Sequence, residues 1–182
     1  MTVHQLEEHQ AQTTHLHMPA AATADVCDAN PDAKVIQSWF TSFGAASKCA
    51  GPVETICTRD DNSLVKRVLT EAGAGRILLI DNKGSTNCAM IGGNLAAQAA
   101  EHGWLGIVVN GAVRDVAELR EVGIGIFALA TCPRRSLNRG FGERGRAVRI
   151  GGERINQGDF LVADGDGVVT LPSWSTNGGR HV

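Results

Sequence analysis

Two short stretches hold residues whose types and spacing suit chemistry. Gly92-Gly93-Asn94-Leu95 opens a run of strong helix formers, and Arg114, Asp115 and Glu118 follow the next apolar run. The first N–H groups of a helix have no partner inside it, so a glycine-led start offers amides to an anion. Arg114 carries a planar fork that matches a carboxylate, and Asp115 is a hard oxygen ligand for a divalent cation. An α-keto acid needs that combination. Its carboxylate docks on the guanidinium and amides, and its keto oxygen and one carboxylate oxygen chelate the metal. The metal then stabilises an enolate, the difficult species in retro-aldol cleavage and β-decarboxylation. A plainer reading competes: Asp115 with Glu118 three residues on has capping-box spacing, and Arg114 would then be a surface arginine paired to either. Spacing alone favours the plainer reading; the free amides at the neighbouring helix start favour the site.

These residues are positioned by βα units. Asn94–His102 reads as a helix that starts at the Gly92-Gly93 turn and stops at Gly103. Trp104–Val109 is an apolar run of strand length, which Asn110-Gly111 is expected to end as a turn. Upstream, Ala24–Asn30 reads as a short helix, Lys34–Phe43 is of undecided type, and Pro52–Thr58 alternates like a half-buried strand. Asp60-Asp61-Asn62 supplies N-cap chemistry for a helix over Ser63–Ala72, and Arg76–Ile80 is a second buried strand. Downstream come a helix near Val116–Glu121, a strand over Gly123–Ala130 and an Arg/Gly-dense loop over Thr131–Arg144. From Arg146 onward, short apolar runs separated by Gly151-Gly152, Gln157-Gly158 and Asp164–Gly167 read as hairpins. The alternation predicts an α/β fold with parallel pairing in front and a β-rich back half, a mixed sheet sandwich or partly closed barrel with flanking helices. The helix start and the strand end then meet where open α/β sheets bind ligands.

Composition narrows the function classes. A chain of 182 residues with 43% hydrophobic content suits one buried domain, expected over residues 24–171. Residues 1–23 read as a flexible polar leader and 172–182 as a loose tail. A net charge of −2 gives no basic field for neutralising phosphates, so direct nucleic-acid binding is disfavoured. Cys27, Cys49, Cys57, Cys88 and Cys132 form no Cys-x-x-Cys pair and read as reduced thiols. No apolar run reaches the length of a membrane span, and a cytoplasmic, soluble protein without a membrane partner is expected.

Four patterns are set aside. His4, His9, His15 and His17 could imitate a metal site, but nothing around them would hold ligand geometry. Gly140–Gly145 fits G-x-G-x-x-G, yet a dinucleotide fingerprint needs a strand before it and a helix after it. Asp164–Gly167 lacks the later oxygens of a calcium loop and reads as a hairpin turn. Trp39, Trp104 and Trp174, with no Tyr in the chain, make a base-stacking surface improbable.

The chain also resembles a known family over about Ala24–Leu171, the proteins of the regulator of ribonuclease activity A (RraA-like) type. That family includes class II 4-hydroxy-4-methyl-2-oxoglutarate aldolases. The most specific match is a Gly, twenty residues, then Arg-Asp-x-x-Glu or Asp, met by Gly93, Arg114, Asp115 and Glu118. Matching text appears in FTSFGA, DDNSLVKRVL, NGAVRD, GIGIFALATCPR, GFGER and LVADGDGVV. The resemblance implies a swivelling β/β/α domain, usually a homotrimer, with sites near subunit interfaces where a neighbouring chain adds an acid. It implies that Gly92, Gly93, Asn94 and Leu95 hold substrate through backbone amides and that Arg114 grips the pyruvyl carboxylate. It further implies that Asp115 holds Mg²⁺ or Mn²⁺ and that Glu118 orients water or Arg114. The implied reaction cleaves 4-hydroxy-4-methyl-2-oxoglutarate to two pyruvates, with oxaloacetate decarboxylation through the same enolate. Some similar proteins instead bind ribonuclease E and inhibit RNA processing, and the best-known inhibitor lacks the metal-binding aspartate that Asp115 matches here. Descriptions of similar proteins as menaquinone methyltransferases find no support in this sequence.

Overall fold

The computed structural model describes residues 21–172. The leader up to residue 20 with its four histidines, the tail from residue 173 and Trp174 lie outside the described residues. In chain order the elements are α1 (Thr23–Ala29), β1 (Lys34–Val35), β2 (Thr41–Ser42), β3 (Cys49–Cys57), α2 (Ser63–Val68), β4 (Ile77–Asp81), β5 (Ala89–Ile91) and α3 (Gly93–Glu101). There follow β6 (Gly106–Val113), α4 (Val116–Leu119), β7 (Gly125–Thr131), β8 (Glu143–Arg144), β9 (Val148–Ile150), β10 (Glu153–Ile155), β11 (Phe160–Ala163) and β12 (Val168–Leu171).

One large mixed sheet runs β1-β12-β11-β3-β4-β6-β7-β2, with β5 on β6 and β8 on β3, and β9-β10 form a separate hairpin. The expected parallel front is present: β3, β4, β6 and β7 pair parallel in sequence order. The expected hairpins are present behind it, β9 with β10 and β11 with β12. The long β3 joins the two halves, antiparallel to β11 over Cys49–Pro52 and parallel to β4 over Val53–Cys57. Both faces of the parallel strands are covered, as crossover helices dictate. Leu78, Ile80, Ile107 and Val109 face Val65, Val68, Ala96 and Ala99 of the helices. Ile77, Leu79 and Val108 face the β9-β10 hairpin through Val148, Ile150 and Ile155.

Several boundaries differ from the sequence expectation. The strand expected over Pro52–Thr58 begins at Cys49 and is buried on both faces of its second half, not half-buried. The helix expected over Ser63–Ala72 ends at Val68, where Leu69 and Thr70 turn the chain toward Gly73. The loop after β7 contains the short β8. Asn110-Gly111 is not a turn: β6 runs through it to Val113. The Asn110 amide donates to the buried Asp81 Oδ1 at 2.8 Å, and the Asn110 carbonyl accepts from Asn82 and Gly84. A Cβ on Gly111 would stand 2.9 Å from Asn82 Cβ and 3.0 Å from the Ser85 carbonyl. The pair therefore serves close approach of the β4 loop, and it extends β6 until Arg114 and Asp115 stand at its end.

Candidate active site

Three chain ends converge at the carboxyl edge of β5 and β6. The Arg114 amide donates to the Ile91 carbonyl at 3.0 Å, which ties the exit of β6 to the exit of β5. Gly92, in extended backbone, then opens α3, whose first internal bond runs from the Ala96 amide to the Gly92 carbonyl at 3.1 Å. The amides of Gly93, Asn94 and Leu95 thus precede the helix's own hydrogen bonding.

Asp115 does not form the capping box. It stands at the start of α4 with φ 58° and ψ 45°, a left-handed conformation, and it makes no side-chain cap to that helix. Its Oδ2 instead accepts from the Gly93 amide at 3.2 Å and lies 3.4 Å from Arg114 Nε. A capping box requires the opposite arrangement, with extended backbone and the carboxylate on its own helix. The carboxylate is turned across to the neighbouring helix start, beside the guanidinium.

The glycines permit this approach. A Cβ on Gly92 would collide with Asp115 Oδ2 and come within 3.1 Å of Arg114 Nε. A Cβ on Gly93 would stand 2.7 Å from Glu118 Cβ and 2.8 Å from Glu118 Cδ. Glu118 therefore packs on the Cα of Gly93.

A cavity of 280 Å³ lies in front of these groups. Of the residues anticipated from sequence, Gly92, Asn94, Leu95, Arg114 and Asp115 line it; Gly93 and Glu118 sit behind that wall. The sequence reading did not assign the remaining lining residues, Asn62, Lys66, Ala89, Ile91, Arg135 and Ser136, to the site. Arg135 arrives by a bridge to Ala89, and the Ala89 amide donates to the Arg134 carbonyl at 2.8 Å. Three cations, Lys66, Arg114 and Arg135, thus face one carboxylate, which suits an anionic ligand. A larger cleft of 690 Å³ surrounds Cys57, Arg59, Lys83 and Arg146, but it holds none of the anticipated residues, and Lys83 and Arg146 are already paired with Asp81 and Glu143.

The surroundings are fixed by ionised side chains. Burial acts to raise the Asp61 carboxyl, but hydrogen bonds from the Ser63 hydroxyl and amide and the Arg139 amide outweigh it and hold it below its ordinary value. Asp60 behaves alike, with Ser85, Asn82 and Asn87 outweighing burial. Burial, helped by the charge of Asp60, pushes the Cys88 thiol up to about 11, which makes it a poor nucleophile. Among the described residues no group of three His, Cys, Asp or Glu side chains is gathered to cage a metal, so Asp115 is the carboxylate this chain presents in the cavity.

The Aldolase/RraA family model matches residues 23–170. A Thermus thermophilus protein described as a 4-hydroxy-4-methyl-2-oxoglutarate aldolase is 46% identical over 152 residues, 84% of this chain and 93% of that protein. The structure of the RNA-processing inhibitor RraA from Thermus superposes with a TM-score of 0.83 at 44% identity, covering 87% of this chain and 96% of the other. A Geobacillus kaustophilus structure described as an S-adenosylmethionine:2-dimethylmenaquinone methyltransferase superposes at 0.82 with 34% identity, covering 88% and 100%.

Proposed function

The chain belongs to the Aldolase/RraA family, and on that premise we propose that it is a divalent-metal-dependent carbon–carbon lyase cleaving 4-hydroxy-4-methyl-2-oxoglutarate to two pyruvates. The observation that carries the proposal is the left-handed Asp115, whose carboxylate leaves its own helix to stand beside Arg114 at the start of α3.

Arg114 receives the pyruvyl carboxylate on its fork, and the α3 amides fix the same end of the substrate. Lys66 and Arg135, which line the same cavity, neutralise the second carboxylate. The C3–C4 bond then breaks, its electrons passing into the keto group next to Arg114 while the C4 hydroxyl gives up its proton to water in the cavity and becomes the keto group of the second pyruvate; the enolate left behind takes up a proton at C3 from water to give the first. Oxaloacetate follows the same course with CO₂ as the departing fragment. The donor set fits Mg²⁺ or Mn²⁺, since such ions keep several waters and take only one or two carboxylates plus substrate oxygens. Held on Asp115, the cation supplies Lewis acidity that lowers the cost of the developing enolate charge. Glu118, packed behind Gly93, acts by holding α4 against α3. The protein works as a cytoplasmic homotrimer, in which a neighbouring subunit adds an acid to the open side of the cavity.

The test is pyruvate release from oxaloacetate and from 4-hydroxy-4-methyl-2-oxoglutarate with Mg²⁺ or Mn²⁺, repeated with excess EDTA. Metal-dependent release that EDTA removes is expected; no release with either metal overturns the assignment. The likeness to the RNA-processing inhibitor favours a second reading, a module that binds ribonuclease E. A pull-down with ribonuclease E fragments tests it, and absence of binding rejects it.

A further inference from the structure

The 690 Å³ cleft shares no lining residue with the cavity of Arg114 and Asp115. It is lined from the exits of β3 and β4 and from the β9-β10 hairpin, and its lining holds five cations, Arg59, Lys83, Arg146, Arg149 and Arg154. Two of them are neutralised, Lys83 Nζ by the buried Asp81 Oδ2 at 2.7 Å and Arg146 Nη1 by Glu143 Oε2 at 2.5 Å. Arg59, Arg149 and Arg154 make no ion pair among the described residues. In a chain of net charge −2, three uncompensated guanidiniums at one concavity are a local concentration of charge and not a general basicity.

The hairpin register adds to the repulsion. Val148, Ile150 and Ile155 are buried, and the alternation of β9 and β10 turns Arg149 and Arg154 to the other, exposed face. The two arginines are direct partners across the antiparallel pair, and like charges directly opposite destabilise a sheet. Arg149 Nη1 donates to the Gly152 carbonyl at 2.7 Å and Arg154 Nε to Asn156 Oδ1 at 3.2 Å. Both acceptors are uncharged, so neither arginine is neutralised, and each of these guanidiniums, with five N–H donors, keeps others for a ligand. We propose that the cleft binds a small organic anion carrying two or more carboxylates, gripped by Arg59 and by the opposed Arg149 and Arg154. Planar arginine forks match carboxylates two bonds at a time, and the volume of 690 Å³ lies within the range of about 300–1,000 Å³ usual for small-molecule sites. Phosphate sites commonly draw on the free amides of a helix start, and none of the lining residues belongs to a helix. A nucleic acid would meet a chain of net negative charge beyond the cleft. This site is separate from the proposed lyase cavity, and its occupation does not depend on that chemistry.

The experiment is isothermal titration calorimetry of the metal-free full chain with propane-1,2,3-tricarboxylate, acetate and pyrophosphate at matched ionic strength. The tricarboxylate is expected to bind saturably and acetate is not. Arg59→Gln and Arg154→Gln, on separate elements, each weaken the tricarboxylate about tenfold or more, as loss of a charge-assisted bond dictates. Arg114→Lys leaves this binding unchanged. Without ligand, Arg154→Gln keeps the original Tm or exceeds it, because one of two opposed charges is gone, so its weaker binding is not a loss of fold. No saturable binding, or binding unchanged in both Arg59→Gln and Arg154→Gln, overturns the proposal. Binding lost in Arg114→Lys but kept in Arg59→Gln places the anion in the other cavity and overturns it too. Pyrophosphate bound more tightly than the tricarboxylate overturns the carboxylate class. A protein that binds the tricarboxylate here yet releases no pyruvate from either substrate overturns the lyase reading alone.

Discussion

Replacing Gly93 by alanine tests the contact on which the whole site depends. The added methyl would lie 2.7 Å from Glu118 Cβ and 2.8 Å from Glu118 Cδ. Carbon atoms rest at about 3.5–4.0 Å, so clearing the contact requires roughly 1 Å of separation. The Glu118 carboxyl group can swing aside by changing rotamer. Its Cβ cannot, and it takes the α4 backbone with it. Asp115 leads that helix, so the bond from the Gly93 amide, now 3.2 Å, stretches to about 4 Å and is lost. Alanine improves helix propensity by at most about 1 kcal/mol, against an overpacking cost of about 1–3 kcal/mol; the net effect is destabilising and small. A catalytic group misplaced by about 1 Å can cost about a hundredfold in rate. Gly93→Ala is therefore expected to lower Tm by a few degrees, at about 2–4 °C per kcal/mol for a chain of this size. Its kcat/KM for pyruvate release falls far more. Gly123→Ala is the control, since a Cβ there meets nothing within 4 Å, and both quantities stay at their original values. A Gly93→Ala protein with unchanged kcat/KM and Tm would refute the argument that glycine is needed to dock α4.

Arg114→Lys keeps the charge and loses the fork, and kcat/KM is expected to drop about a hundredfold in steady-state assays; unchanged kinetics exclude bidentate recognition. Asp115→Asn keeps the shape and tolerates φ 58°, so thermal unfolding stays within about 0.5 kcal/mol while the response to Mg²⁺ disappears; retained metal-dependent turnover rules out the ligand assignment. Asp115→Ala adds backbone strain of about 1 kcal/mol or more, visible as a lower Tm than Asp115→Asn. Away from the site, burial acts to raise the Glu54 carboxyl, but hydrogen bonds from Arg144 and Gln157 and the charges of Arg144 and Arg76 outweigh it and hold it below its ordinary value. Its contribution to stability is present above the unfolded value of about 4.3 and is lost as pH falls through the lower folded value. Urea unfolding followed from neutral pH down into acid below the unfolded value of about 4.3 is expected to show a shallower acid loss for Glu54→Gln; an identical acid limb would remove Glu54 from the account.

The elements were legible wherever local pattern and tertiary burial agree. Arg76–Ile80 and Trp104–Val109 are apolar because both faces of their strands are covered, by helices on one side and by the β9-β10 hairpin on the other. The Gly92-Gly93 helix start was readable because two glycines precede strong helix formers. Asn110-Gly111 misled because the dipeptide with the strongest turn preference has a second use. Between two parallel strands it lets a loop lie against the sheet and supplies an amide to a buried carboxylate, here Asp81. Nothing within a window of local sequence separates these uses; the separation lies in Asp81, on the neighbouring strand.

The same limit explains which half of the cavity was found. Gly92, Asn94, Leu95, Arg114 and Asp115 belong to one βα unit, so their spacing along the chain reports their spacing in space. Asn62, Lys66, Arg135 and Ser136 come from α2 and from the loop after β7, joined by the Asp61–Leu137 and Ala89–Arg135 bridges. Asp60-Asp61-Asn62 read as capping chemistry, and half of that was right: Asp61 anchors the turn, and its doing so frees Asn62. Two adjacent residues with equal capping propensity divide the work: Asp61 bonds Ser63, and Asn62 bonds the Met90 carbonyl. At α4 Asp115 makes no cap to its own helix and lines the cavity with its carboxylate beside the start of α3.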